Sequence, residues 1–155
     1  MHKFMTRVLA LIGLVALSSM SFAEGAHTPE QAKAFVEKAV AFYKSAGKEK
    51  ALAVFSDPSG EFRDGDLYLI VQDATDGQLT MLAHGANKAL IGKPQIDTKD
   101  AEGRAFNQDV VAALAKADST WVEYKWPNPA TKKIASKRGY FVKAGDVIIG
   151  AGVYN

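Results

Sequence analysis

The sequence predicts an α+β domain: a long N-terminal helix packed on a five-stranded antiparallel sheet. Three observations predict it. A helical period follows Thr28 and ends at Asp57-Pro58-Ser59-Gly60, after which short segments rich in strand formers take over. Those segments are joined by tight turns, and strands joined by tight turns are antiparallel. The composition, 48% apolar and 23% charged over 155 residues, is that of a chain able to build one core. With the helices segregated to one face of the sheet, the arrangement is an α+β sandwich.

The first 23 residues read as a leader. Lys3 and Arg7 supply positive charge, residues 8–17 (VLALIGLVAL) are apolar, and SSMSFA ends with small residues at Ser21 and Ala23. This is the pattern of a secretory signal peptide, with cleavage expected before Glu24. Ten apolar residues are short of the roughly 20 a membrane-spanning helix needs; an uncleaved anchor is the alternative. Residues 24–155 are then a single exported, periplasmic domain with no membrane insertion. The excess of 19 basic over 17 acidic residues comes from Lys3 and Arg7 alone, so the mature domain is formally neutral. It has no basic stripe to neutralise a phosphate backbone, and no nucleic-acid partner is expected.

The elements follow in order. Thr28-Pro29-Glu30-Gln31 starts the long helix: Thr28 caps, Pro29 suits the first position, and Gln31 completes a capping box. Phe35, Ala39 and Phe42, flanked by Val36, Val40 and Tyr43, form its apolar face, and Gly47 ends it. A shorter helical piece covers residues 49–55. Residues 66–71 (DLYLIV) read as a strand, Asp76-Gly77 as a hairpin turn, and residues 78–84 (QLTMLAH) as the returning strand. Residues 87–92 form a loop or single turn. Within residues 104–117, Phe106, Val110, Leu114 and Ala117 share a helical face. Strands at residues 120–126, 133–143 and 147–154 close the chain, separated by Pro127-Asn128-Pro129 and Ala144-Gly145-Asp146.

Several chemistries are excluded. Without cysteine there is no disulfide, thiolate metal site, iron–sulfur cluster or cysteine nucleophile. There is no phosphate-binding loop and no G-x-S-x-G motif. Of the three histidines, His2 leaves with the leader, His27 sits at the mature N-terminus, and only His84 lies in the body of the fold. The pairs Asp64/Asp66 and Asp73/Asp76 lack the spacing of a calcium loop and suit turns better. No enzyme, metal or cofactor is expected.

Trp121, Tyr124, Trp126 and Tyr140 make an aromatic group on the closing strands. Strand alternation points Val122, Tyr124 and Trp126 to one face and Trp121, Glu123 and Lys125 to the other. Such rings either wall a small-ligand pocket, with Tyr O–H and Trp N–H fixing orientation, or pack as core; on spacing alone, core packing is the more ordinary reading.

Two stretches carry a family resemblance. The first runs through Asp66-Leu67-Tyr68-Leu69-Ile70-Val71, the aspartate–glycine turn, Leu82-Ala83-His84 and Leu90-Ile91-Gly92-Lys93. The second runs through Asp100-Ala101-Glu102-Gly103-Arg104-Ala105-Phe106, Trp121-Val122-Glu123-Tyr124-Lys125-Trp126-Pro127-Asn128-Pro129, Lys137, Tyr140-Phe141-Val142 and Gly150-Ala151-Gly152-Val153-Tyr154. Together they resemble the single Cache domain of the second subtype, an extracytoplasmic sensor of bacterial chemoreceptors and histidine kinases.

The resemblance implies a PAS-like fold with a small-molecule pocket on the sheet face away from the long helix. It implies a short carboxylate ligand of two to four carbons, such as acetate, propionate, pyruvate or lactate. The ligand-binding residues it implies are His84, Tyr124, Trp126, Lys137 and Tyr140. Lys137 supplies charge, His84 and the tyrosines hydrogen bonds, and Trp126 a cover for the apolar tail.

Three departures stand out. Gly85 follows His84 where the family has proline, and Asp118-Ser119-Thr120 precedes Trp121 where it has a glycine. Lys137 and Tyr140 are three apart, so a regular strand puts them on opposite faces; only a bulge near Gly139 brings both inward, and without one Lys137 leaves the site.

Receptors of this family continue into a second membrane span and an output domain, whereas this chain stops at Asn155. The expected function is therefore a free-standing periplasmic Cache-domain protein, chemoreceptor-like, that senses a small carboxylate and signals through a separate membrane receptor or kinase. The alternative is a ligand-independent interaction or structural module of an envelope complex, with a degenerate pocket.

Overall fold

The computed structural model describes residues 27–155. The leader over residues 1–23 and its cleavage site lie outside them. Helix α1 spans Pro29–Ala46. Thr28 Oγ1 accepts from the Gln31 amide at 3.2 Å, and Gln31 Oε1 accepts from the Thr28 amide at 2.7 Å, completing the capping box. Gly47, with φ 85°, ends the helix in a region that costs a side chain but not glycine. Helix α2 follows directly over Lys48–Phe55.

Strands β1 (Arg63–Asp64) and β2 (Leu67–Tyr68) form a small hairpin. The main sheet contains β3 (Ile70–Asp73), β4 (Met81–His84), β5 (Ser119–Pro127), β6 (Ile134–Ala144) and β7 (Val147–Tyr154). Its order is β4-β3-β7-β6-β5, antiparallel throughout, so the last strand sits in the middle. The single strand expected over residues 66–71 is divided: Leu67–Tyr68 pairs with β1, and Ile70 opens the main sheet. The returning strand starts at Met81 because Leu79 is left-handed, with φ 51°, and the Gln78 carbonyl is taken by the amides of Gln95 and Ile96.

Helices cover both faces, not one. The α1 face buries Ala32, Val36 and Ala39 against Val71, Ala83, Val147, Ile149, Ala151 and Val153. Phe42, Phe55 and Phe62 cluster beside them, Phe55 and Phe62 edge-on at 4.8 Å. Each such burial stabilises by about 1.5–3 kcal/mol, which a cysteine-free chain depends on. The other face packs against α3, which spans Phe106–Leu114 and buries Phe106, Val110 and Leu114 against Val122, Phe141 and Ile148. Two apolar sheet faces need two covers. Helix α3 is shorter than the expected residues 104–117. The Arg104 guanidinium instead bridges Asp109 (2.7 Å) and the Glu123 carbonyl (2.9 Å).

The segment before α3 is fastened by Asp100. Its carboxylate accepts from the amides of Glu102 and Arg104 at 2.9 Å and of Lys125 on β5 at 3.0 Å. The bond from Lys125, then desolvation working the other way, then the bonds from Arg104 and Glu102 leave its carboxyl below its ordinary value. This tie holds the crossover segment over the sheet and delivers Gln95 and Asn107 to one end of a cavity.

Candidate functional site

The β6 register is regular: Lys137 opposes Tyr154, Gly139 opposes Gly152, Tyr140 opposes Ala151 and Phe141 opposes Gly150. There is no bulge at Gly139, so Lys137 and Tyr140 do face opposite ways. The residue that leaves the cavity is Tyr140, not Lys137. Tyr140 packs in the α1-side core with its ring 4.8 Å from Trp121. Alternation outward from Lys137 puts Gly139 and Phe141 on the α3 side, together with Gly150, Gly152 and Tyr154 of β7 and Val122, Tyr124 and Trp126 of β5.

The structure brings His84, Tyr124, Trp126 and Lys137 around one cavity of about 30 Å³ on this face. Its other walls come from β2, β3, the α3 segment and the facing strands: Tyr68, Gln72, Gln95, Phe106, Asn107 and Phe141. That enclosed volume is small, about the room of two water-sized groups. Tyr68, His84 and Trp126 also line an outer mouth of about 340 Å³, bordered by Asn87, Asn128 and Lys132.

Three glycines make the space. A Cβ on Gly150 would lie 2.5 Å from Phe141 Cδ1, one on Gly139 2.7 Å from Phe141 Cε2, and one on Gly152 2.8 Å from Lys137 Cε. The Phe141 ring and the Lys137 stem occupy what side chains there would fill.

Lys137 is 3% exposed. Its ammonium lies 3.9 Å from the Tyr68 ring centre and 4.7 Å from that of Tyr154. Among the described residues no carboxylate is within 4.0 Å of it. Two ring faces soften the desolvation of a buried cation but do not neutralise it.

His84 closes the same end, its ring stacked on Tyr68 at 5.0 Å. Its Nδ1 accepts from the amides of Ala86 (3.1 Å) and Asn87 (2.9 Å). The proton of the neutral ring therefore sits on Nε2, a donor. Burial first, then the charges of Lys137 and Arg63, pull this imidazole down to about 3. Tyr154 donates to the Pro127 carbonyl at 2.8 Å, so at the 3.2 Å contact between the two hydroxyls Tyr68 is the donor. Tyr124 is half-buried as a residue, with its ring stacked on Phe106 at 4.0 Å. Desolvation of its hydroxyl end, then Tyr68, pushes its phenol well above its ordinary value, so it keeps its proton. The cavity thus offers a cation and neutral donors, and among the described residues no acidic side chain lines it. That chemistry suits a small anion.

Tyr68, Gln72, Asn107 and Tyr154 were not among the expected residues. Gln72 and Asn107 carried a signal: each is a polar side chain within an otherwise apolar pattern, and each is buried here. The turn reading holds for both pairs of aspartates. Asp73 accepts from the Thr75 amide and hydroxyl, and Asp76 from the Gln78 and Thr80 amides. Asp64 and Asp66 stand at the turn that joins β1 to β2, and each also holds one ring nitrogen of His27 at 3.1 Å.

Known proteins share this fold. A solved chemotaxis protein from Vibrio parahaemolyticus superposes with a TM-score of 0.68 at 24% identity, covering 81% of this chain and 86% of that one. A Cache chemosensory domain, solved to explain its recognition of carboxylic acids, matches with the same TM-score and identity over 81% and 91%. A periplasmic sensor domain of a chemotaxis protein matches at 0.61 and 23%, over 81% and 88%. In sequence, the methyl-accepting chemotaxis protein McpP of Pseudomonas putida is 33% identical over 76 residues, 48% of this chain and 14% of that protein. Among the described residues no helix is long and apolar enough to cross a membrane. The family model described as single Cache domain 2 matches residues 3–155, and with this fold and this cavity the chain belongs to that family.

Proposed function

We propose that the protein is an exported sensory domain that binds a short-chain carboxylate in the cavity between the sheet and the α3 segment, and that a separate membrane receptor or kinase reads the bound state. The observation that carries this reading is the buried Lys137 ammonium, which faces the cavity with no carboxylate within 4.0 Å among the described residues. A ligand carboxylate supplies the missing counter-charge, with the His84 Nε2–H and the Tyr124 hydroxyl as further donors. One charge-assisted hydrogen bond contributes about 1.5–3 kcal/mol, and two or three support micromolar to millimolar binding of a small anion. One solved domain of the same fold is described as recognising carboxylic acids, which supports the same ligand class here. Binding rather than catalysis is proposed, because among the described residues no nucleophile and base are paired in the cavity. Transmission needs only that the partner distinguish liganded from free protein.

Thermal shift and calorimetry against acetate, propionate, pyruvate and lactate test this. At least one is expected to bind and to raise the melting temperature. Silence from all C2 to C4 carboxylates sinks the reading. Partner capture unchanged by ligand would favour a docking module instead. The N-terminal mass of periplasmic protein tests export, with cleavage before Glu24 expected.

A further inference from the structure

We infer that the carboxylate taken by this cavity also carries a hydroxyl group, which donates to Gln72 Oε1. The inference rests on the carboxylate reading above and narrows it. Gln72 lines the cavity from β3 and is 1% exposed. Its hydrogen-bonding roles are fixed by its neighbours. Asn107 Nδ2 donates to the Gln95 carbonyl at 2.8 Å, and a carbonyl can only accept. Asn107 Oδ1 must therefore accept, and Gln72 Nε2 donates to it at 3.2 Å. An amide flip of Gln72 would set two acceptors against each other, so Oε1 is the atom left over. It is buried and has no hydrogen-bond partner among the described residues.

A buried acceptor without a donor carries a desolvation penalty that a ligand donor relieves. An alkyl or keto acid brings no donor. An amino acid brings an ammonium, but the lining already holds Lys137 and, among the described residues, has no acidic side chain to balance a second cation. A neutral hydroxyl satisfies Oε1 without adding charge. Sites built to pair a substrate hydroxyl discriminate against the analogue that lacks it.

Calorimetry on the purified protein with matched acids tests this: propionate against lactate, propionate against 3-hydroxypropionate, and butyrate against 3-hydroxybutyrate. At least one hydroxy acid is expected to bind roughly 5- to 150-fold tighter than its alkyl partner. Gln72→Leu and Gln72→Met are expected to level that pair, so that within each variant the hydroxy acid binds no tighter than its alkyl partner. Alkyl acids that bind as tightly as every hydroxy partner overturn this inference and leave the carboxylate reading standing. A preference that survives in either folded variant also overturns it. Failure of all five acids to bind overturns both. The comparison within the native protein decides the matter even where a variant does not fold.

Discussion

The Lys137 ammonium sits 3.9 Å from the centre of the Tyr68 ring, in a cavity that no acidic side chain lines among the described residues. A strand side chain from β6 thereby meets one from the β1–β2 hairpin across the middle of the sheet. Gly152, the residue of β7 between them, has no side chain to block the contact. The arrangement is unfavourable for stability taken alone. A buried cation held by two aromatic faces recovers about 0.5–2 kcal/mol of its desolvation, less than the penalty of several kcal/mol. Such a residue is a candidate for function rather than for folding.

Lys137→Met should therefore divide the two properties. The variant keeps the stem and removes the charge, so the free protein is expected to gain about 1–2 kcal/mol of stability. Carboxylate affinity is expected to fall by roughly 10- to 100-fold, the worth of one charge-assisted bond. Denaturant titration and calorimetry read the two effects. Unchanged affinity with unchanged stability would remove Lys137 from the site.

His84 should stay neutral across the physiological range. Its folded value lies near 3, far below its ordinary 6.5, because of burial and then the nearby charges of Lys137 and Arg63. The unfolded chain binds the proton more readily, so stability falls with acid from about pH 6.5 toward pH 3 and is flat above. NMR of the His84 ring between pH 5 and 8 is expected to show no titration. A midpoint inside that window would contradict the donor assignment at Nε2. His84→Gln offers a neutral donor of similar reach and should retain more affinity than His84→Leu.

The strands were legible because turn chemistry and alternation are local. Residues 147–154 read as a strand and are one, since strand formers (Val147-Ile148-Ile149 and Val153-Tyr154) flank its glycines and a Gly-Asp turn precedes it. The α1 cap was legible because Thr28, Pro29 and Gln31 act on neighbours only. Placing α3 on the second face was not, because an amphipathic period says that a face is buried but not against which side of the sheet. Lys137 and Tyr140 show the same limit. Their spacing correctly put them on opposite faces; which face holds the cavity depends on partners far away in sequence, Tyr68 and His84. Gln72 and Asn107 lie 35 residues apart and meet only through the crossover that Asp100 fastens.

His27 should make stability depend on pH in the opposite sense to His84. Its ring bridges Asp64 and Asp66, and Asp66 also accepts from Asn128 at the cavity mouth. Burial lowers its value, but the bonds and charges of the two aspartates outweigh this and leave it raised above 6.5. A raised folded value means the stabilisation is complete below the unfolded value and is lost as pH rises through the folded one. The loss is expected to be about 0.5–1 kcal/mol, since the Asp64 partner is largely exposed. His27→Gln should abolish this alkaline decline in urea midpoints measured from pH 6 to 9. An identical decline in the variant would assign it elsewhere.

Gly150→Ala tests whether the glycine floor shapes the cavity. The added Cβ would stand 2.5 Å from Phe141 Cδ1 and 2.8 Å from Cε1, well inside contact distance. Phe141 is 2% exposed and has nowhere to swing except into the cavity it lines. The variant is expected to lose about 1–3 kcal/mol of stability by overpacking and to bind carboxylate more weakly. Phe141→Leu frees the space, so the double variant should recover part of the stability lost to the alanine, a coupling of about 0.5–3 kcal/mol read by a double-mutant cycle. Strictly additive losses would mean that the alanine is accommodated by the strand backbone and that Phe141 does not depend on Gly150 for its place.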